Sequence, residues 1–267
     1  MLEQRTIRGI TLAFEWIDGG KDSELIVFLH GVGADRCAWT PQVQFFSQLG
    51  YTVAALDMRG SGESQTRDER GLAIPITMED FAADVHALIG DLGFERAHWV
   101  GNSMGGVIIM EALRKGYSTI AKAVFCNTFA KHPNSATILP RPGIALKTKS
   151  LAEFAAERIP FAHAPDIAPE VLLESIQSMA TKDVETYLLS WRETWSHDYR
   201  SVLPTVAIPS LVITGALDKI TPPALGEEIA RLIPGAQYKL IEGASHLSNL
   251  DRPLEFNEVV YRFLKSL

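Results

Sequence analysis

The sequence predicts an α/β protein, with a mostly parallel sheet flanked by helices and an inserted helical cap. Three observations carry that prediction. Short apolar runs rich in strand formers alternate with helical patterns, as they do where crossover helices connect parallel strands. The alternation stops at about residue 130 and resumes near 199, and the stretch between holds six prolines and no strand-like run. The chain has 267 residues, enough for one large domain with an insertion. The expected division is a core of residues 1–129 and 199–267, with the cap at 130–198.

Taken in order, residues 5–17 alternate as the two strands of a hairpin do. "ELIVFLH" follows, a continuous apolar run too short for a typical helix, as expected of a strand covered on both faces. "YTVAAL", "RAHWVG" and "IAKAVFC" repeat that character. Helical patterns separate them, around 41–49, 78–92 and 104–115, with Thr77 placed to cap the second and Asp80 in the capping-box position. Within the insertion, "LAEFAAERI", "PEVLLESIQSMA" and "DVETYLLSWRETW" have amphipathic helical spacing. Alternation returns with "PSLVITG", a helix near 223–232, "QYKLIEG" and a last helix after Pro253.

Composition removes several function classes. The net charge is −7 and no Lys/Arg cluster forms a basic stripe, so nucleic acid is not an expected partner. No apolar run approaches the roughly 20 residues of a membrane span, and the N-terminus is charged and alternating, unlike a secretory signal. A cytoplasmic protein with no membrane partner is expected. Cys37 and Cys126 lie far apart in apolar contexts, which predicts two buried thiols and no disulfide. The histidines show no pairing at metal-ligand spacing, and no metal or other cofactor is expected.

One stretch does not fit a purely structural reading. Residues 97–107, "AHWVGNSMGGV", place a serine among glycines where a strand turns into a helix. In a G-x-S-x-G elbow the glycines let the backbone pass close to its neighbours while the serine is held in a strained, exposed turn. Ser103 is therefore the candidate nucleophile, with Gly101, Gly105 and Gly106 giving it room. A serine hydroxyl needs a base, and the base needs an orienting carboxylate. In this arrangement the partners follow along the chain, acid before histidine. His30, His86 and His98 precede or surround the serine in ordinary elements, and His132, His163 and His197 fall in the insertion. His246, in "GASHLSN" after the last strand, is the candidate base. Asp218, in "GALDKITPP", is the candidate acid, since the competing position after the fourth run, "NTFAKH", has no carboxylate. Asp251 is read as a helix N-terminal residue. The expected oxyanion donors are the N–H groups of Met104 and, from the loop "HGVGAD", of Val32.

"LHGVGADRCAW", "LDMRGSGES", "GNSMGG", "GALDKITPP" and "GASHLSNLDRP" together resemble the α/β-hydrolase family, in the family's order and across the whole chain outside the insertion. The tail from "TPPALGEEIARL" to "GASHLSNLDRP" is further similar to the 3-oxoadipate enol-lactonase branch. The resemblance implies a serine hydrolase that cleaves a small lactone or carboxylic ester through an acyl-enzyme. A rival branch hydrolyses carbon–carbon bonds of ring-cleavage products and often shares "GNSMGG", but its usual Gly-Pro-Gly is missing from "HGVGAD". The family resemblance is also compatible with a cofactor-free haloperoxidase-like enzyme, or with a small-ligand receptor built on the same fold. Asp57, Arg59, Gly60 and Gly62 of "DMRGSGES" are expected to brace loops. Trp39, Trp191 and Trp195 are candidates for the substrate cavity, although the last two, with Tyr187, read first as the buried side of a cap helix. Met179 and Ile176 read as cap core. Arg192, Arg158 and Lys131 are unranked cations for a carboxylate-bearing substrate, each expected on the solvated surface.

Overall fold

In the computed structural model, which describes residues 1–266, the chain opens with a hairpin of β1 (Leu2–Ile7) and β2 (Ile10–Ile17). Arg8 and Gly9 both take positive φ at its two-residue turn, which matches the twist of paired strands. Then follow β3 (Leu25–Leu29), α1 (Thr40–Gln48), β4 (Thr52–Leu56), α2 (Met78–Asp91), β5 (Ala97–Asn102), α3 (Met104–Arg114) and β6 (Ile120–Cys126). After β6 come α4 (Ser135–Ile138), α5 (Arg141–Ala145), α6 (Leu151–Arg158), α7 (Pro169–Ala180) and α8 (Val184–Trp195), with no strand among the described residues of that stretch. The chain closes with β7 (Ser210–Gly215), α9 (Pro223–Leu232), β8 (Gln237–Ile241), α10 (Ser248–Asp251) and α11 (Pro253–Lys265).

The strands form one sheet in the order β1-β2-β4-β3-β5-β6-β7-β8, antiparallel at β1/β2/β4 and parallel from β4 to β8. Every parallel strand therefore delivers its C-terminal end to the same edge, where ligands of open α/β sheets bind. The continuous apolar runs are explained by burial on both faces. Leu25, Val27 and Leu29 of β3 join Phe81 and Val85 of α2 and Val107 of α3 in one core. Ile26 and Phe28 join Phe46 of α1 with Phe256 and Val260 of α11 in the other. Each such fully buried side chain contributes about 1.5–3 kcal/mol relative to exposure.

Local signals place the helices that frame the site. The Thr77 hydroxyl oxygen accepts the Asp80 N–H at 3.0 Å and starts α2. Asp80 then takes the Thr77 hydroxyl proton at 2.7 Å, where a longer Glu would reach the backbone N–H. A full capping box does occur at Ser150 and Glu153, at the start of α6. The stretch between β6 and β7 is pinched at its ends, where the Tyr199 N–H donates to the Ala130 carbonyl at 2.9 Å. Its α8 is held over the sheet by the Thr186 hydroxyl on the Gly60 carbonyl and by Trp195 stacked on Phe129. No helix among the described residues is long and apolar enough to cross a membrane.

Candidate active site

Ser103 follows the last residue of β5 and precedes the first of α3, with φ 52° and ψ −111°. That backbone is sterically costly for a residue with a Cβ, typically by 1–3 kcal/mol, and it is held by its surroundings. The Ser103 N–H donates to the Cys126 carbonyl at 2.9 Å, and its carbonyl accepts the Thr128 hydroxyl at 2.7 Å. The glycines are needed because strand and helix almost touch. A Cβ on Gly101 would overlap the Gly105 carbonyl group, and one on Gly105 would overlap the Leu29 carbonyl oxygen. Gly31 closes the elbow from the β3 side, since a Cβ there would lie 3.2 Å from the Ser103 Cβ.

Asp218 and His246 lie beyond the C-terminal ends of β7 and β8, and they meet. His246 Nδ1 is 2.9 Å from Asp218 Oδ2. The same carboxylate oxygen accepts from the Thr221 hydroxyl at 2.7 Å and from Asn127 Nδ2 at 3.0 Å, while Oδ1 accepts the Ile220 and Thr221 N–H groups. Burial alone pushes the Asp218 carboxyl up, but the charge and hydrogen bond of His246 and the Thr221 donors outweigh it and hold the pKa below the usual carboxylate range. An ionised acceptor on Nδ1 fixes the imidazole proton there and leaves Nε2 as the remaining basic nitrogen. Ser103, His246 and Val32 all line one cavity of about 210 Å³. The Met104 side chain is not part of that lining and packs in the core, its N–H opening α3 directly after Ser103.

A family model described as the alpha/beta hydrolase fold matches residues 24–253. The chain belongs to the α/β-hydrolase family. It is 30% identical to 3-oxoadipate enol-lactonase 1 of Acinetobacter baylyi, over 97% of this chain and 95% of that one. It is 24% identical to a 2-hydroxy-6-oxononadienedioate/2-hydroxy-6-oxononatrienedioate hydrolase from a Pseudomonas species, over 92% and 90% of the two chains. The crystal structure of the enol-lactonase from Burkholderia xenovorans superposes with a TM-score of 0.90 at 29% identity, covering 99% of this chain and 100% of that one.

Several side chains of this α/β-hydrolase depart from their expected places. Trp39 does not line the cavity. It is fully buried between Phe28 and Phe256 beneath the sheet, because it ends the short turn Arg36–Trp39 pointing into the α1/α11 core. The same turn carries Cys37 to the exposed side, against the expectation of two buried thiols; Cys126 is buried in β6. Trp191 is likewise absent from the cavity wall. Its indole N–H donates to the Leu139 carbonyl at 3.2 Å, and its ring lies under the Arg158 guanidinium at 4.5 Å. Trp195 lines the cavity, and so does Met179, which had the spacing of cap core. Arg158 is not a solvated surface cation. It sits at the end of α6 in the cavity wall, among residues that form no salt bridge with it, while Arg192 pairs with Glu193 and Lys131 with Asp198. Burial lowers the Arg158 pKa from its ordinary value.

His30 braces the loop behind the serine. The Met58 N–H donates to Nε2 at 3.0 Å, so Nδ1 carries the proton and donates to the Gly31 carbonyl at 2.8 Å. Asp57 takes the Arg36 and Glu63 N–H groups, and Arg59 pairs with Asp84 at 2.6 Å, so "DMRGSGES" holds loops together. Asn127, Thr221 and Asn102 were not singled out by the sequence. Their contribution is to hold Asp218 and the His246 carbonyl, a role with no local sequence signal.

Asp35, in the loop after β3, receives the Lys182 ammonium at 3.0 Å and the Ser178 hydroxyl at 2.5 Å, tying that loop to α7 and the turn before α8. Burial pushes its carboxyl up, but Lys182 and Ser178 overcome this and hold it well below the usual carboxylate range. A depressed folded-state pKa gives stability that is present above the unfolded value of about 3.9 and is lost as pH falls through the folded value. Asp35→Asn leaves Lys182 buried without its counter-charge and is expected to cost roughly 3 kcal/mol at pH 7. Thermal denaturation of both proteins checks this, since the gap in melting temperature should narrow as the pH is lowered below about 4.

Proposed function

We propose that this α/β-hydrolase is a serine hydrolase of small lactones or carboxylic esters, similar to the 3-oxoadipate enol-lactonases in the bond it cleaves. The single observation that carries the proposal is the Asp218–His246 pair at 2.9 Å, opening onto the cavity that Ser103 also lines. Ser103 Oγ attacks the carbonyl carbon while His246 Nε2 takes its proton. Asp218 fixes the tautomer and stabilises the imidazolium. The N–H groups of Val32 and Met104 hold the oxyanion, with Gly31 pressed against Ser103 as the support for the first of them. Collapse breaks the acyl carbon–oxygen bond, and the imidazolium returns its proton to the departing oxygen. His246 then activates water, which releases the acid and restores Ser103. Residues 130–198 act as the cap, supported by the bond between Tyr199 and Ala130 at their ends.

One cap residue suits a substrate with a second polar end. Arg158 lies in the cavity wall and forms no salt bridge among the described residues. A carboxylate on the substrate would supply the missing counter-charge. Arg158→Met is expected to raise KM for a carboxylate-bearing lactone by roughly ten- to hundredfold, from the loss of a charge-assisted hydrogen bond worth about 1.5–3 kcal/mol. Neutral aryl esters should change little. The deciding experiment is a hydrolysis screen of enol-lactones, simple lactones, aryl esters and ring-cleavage diketones. Turnover of lactone or ester supports the proposal, and turnover of the diketone alone overturns it.

A further inference from the structure

The loop carrying His246 is clamped by the cap through a buried hydrogen-bonded pair outside the catalytic set. Asp251 was expected to start a helix, but it ends α10, and α11 starts at Pro253. Its carboxylate turns inward, with a fully buried side chain. Oδ2 accepts the N–H of Ser245, immediately before His246, at 2.8 Å, and the N–H of Ala164, between α6 and α7, at 3.0 Å. Oδ1 is 2.9 Å from Nδ1 of His163, another fully buried side chain. His163 Nε2 is 2.9 Å from the hydroxyl of Ser175, which lies on α7 and lines the cavity. On the other side of His246, the Leu247 N–H donates to the Ala162 carbonyl at 3.0 Å. Residues 162–164 thus hold both neighbours of His246, one directly and one through Asp251.

We propose that His163 and Asp251 are positioning residues for His246, a buried pair that fixes the loop of the catalytic base to the cap wall at Ser175. The inference rests on the hydrolase reading above for its kinetic consequence only. His246 is held by Asp218 through a single ring nitrogen, so the direction of Nε2 follows from where the loop backbone sits. Displacements of about 1 Å remote from the chemistry can cost a hundredfold in rate. Neither partner touches the reacting atoms, so their loss should lower kcat while leaving KM nearly unchanged.

The test compares His163→Ala with His163→Asn, which keeps an N–H donor near the position of Nδ1 but drops the contact to Ser175. His163→Ala is expected to lose roughly ten- to hundredfold in kcat with KM within about twofold, and His163→Asn to recover most of it. A second readout needs no substrate. The proton between His246 Nδ1 and Asp218 gives a downfield signal in the proton NMR spectrum, which should move or broaden in His163→Ala and persist in His163→Asn. A folded His163→Ala with wild-type kcat and an unmoved His246 signal overturns the proposal, as does a His163→Asn variant no better than Ala. Should His163→Ala fail to fold, Asp251→Asn carries the same two readouts with the same opposing outcomes. If Ser103 is not the nucleophile, the hydrolase reading fails, and the NMR comparison still decides the clamp.

Discussion

Ser103→Ala is expected to lower kcat/KM by about five to six orders of magnitude while the protein stays folded. The proposed nucleophile has no substitute at the elbow, because its neighbours Asn102 and Met104 carry no hydroxyl or thiol. Residual turnover would come from substrate held against the oxyanion donors and attacked by water. A second substitution separates chemistry from strain. At φ 52° and ψ −111°, Ser103 occupies a conformation that a glycine adopts at far lower cost. Ser103→Gly should therefore be as inactive as the alanine variant, yet about 1 kcal/mol more stable than wild type. Steady-state kinetics and thermal denaturation of the two variants check both statements. Activity within a hundredfold of wild type in either one would remove Ser103 from the mechanism.

Asp218→Asn should cost about ten-thousandfold in kcat with little change in KM. The reason lies in the donors around Oδ2. Asn127 Nδ2, the Thr221 hydroxyl and His246 Nδ1 all converge on that oxygen, and Oδ1 already accepts two backbone N–H groups. An amide that keeps its oxygen toward the Ile220 and Thr221 N–H groups must place its NH2 toward His246. The imidazole then accepts at Nδ1 and carries its proton on Nε2, where it cannot receive the proton of Ser103. The loss should appear in single-turnover acylation as well as in steady state. Equal rates for the Asp and Asn enzymes would show that the carboxylate neither sets the tautomer nor stabilises the imidazolium.

The core was legible in the sequence because its signals are local or ordinal. β3, β5 and β6 are short runs buried on both faces, and α2, α3 and α7 are long enough for their apolar spacing to repeat. The order of serine, acid and histidine, each after a strand of a parallel sheet, was sufficient to propose residues that the fold brings to one edge. By contrast, α4, α5 and α10 have four or five residues, too few turns for a period to show.

The cavity wall was harder to read, since it depends on which way a side chain turns after the layers have packed. Trp39 and Cys37 are two residues apart in one short turn, and their burial is the reverse of what composition suggests for a wall and a core thiol. Arg158 carries no mark in "LAEFAAERI" that distinguishes it from Arg192, and only the packing of α6 over Trp191 brings it to the cavity. His163 and Asp251 are separated by 88 residues, and although Asp251 falls within "GASHLSNLDRP", nothing in the sequence pairs it with His163.

Labelling with a fluorophosphonate, followed by proteolysis and peptide mapping, tests the nucleophile most directly. A single phosphonylated peptide containing Ser103 is expected, with labelling abolished in Ser103→Ala and strongly slowed in Asp218→Asn. Modification at another residue of the cavity, such as Ser175, or no modification of the native enzyme, would contradict the assignment.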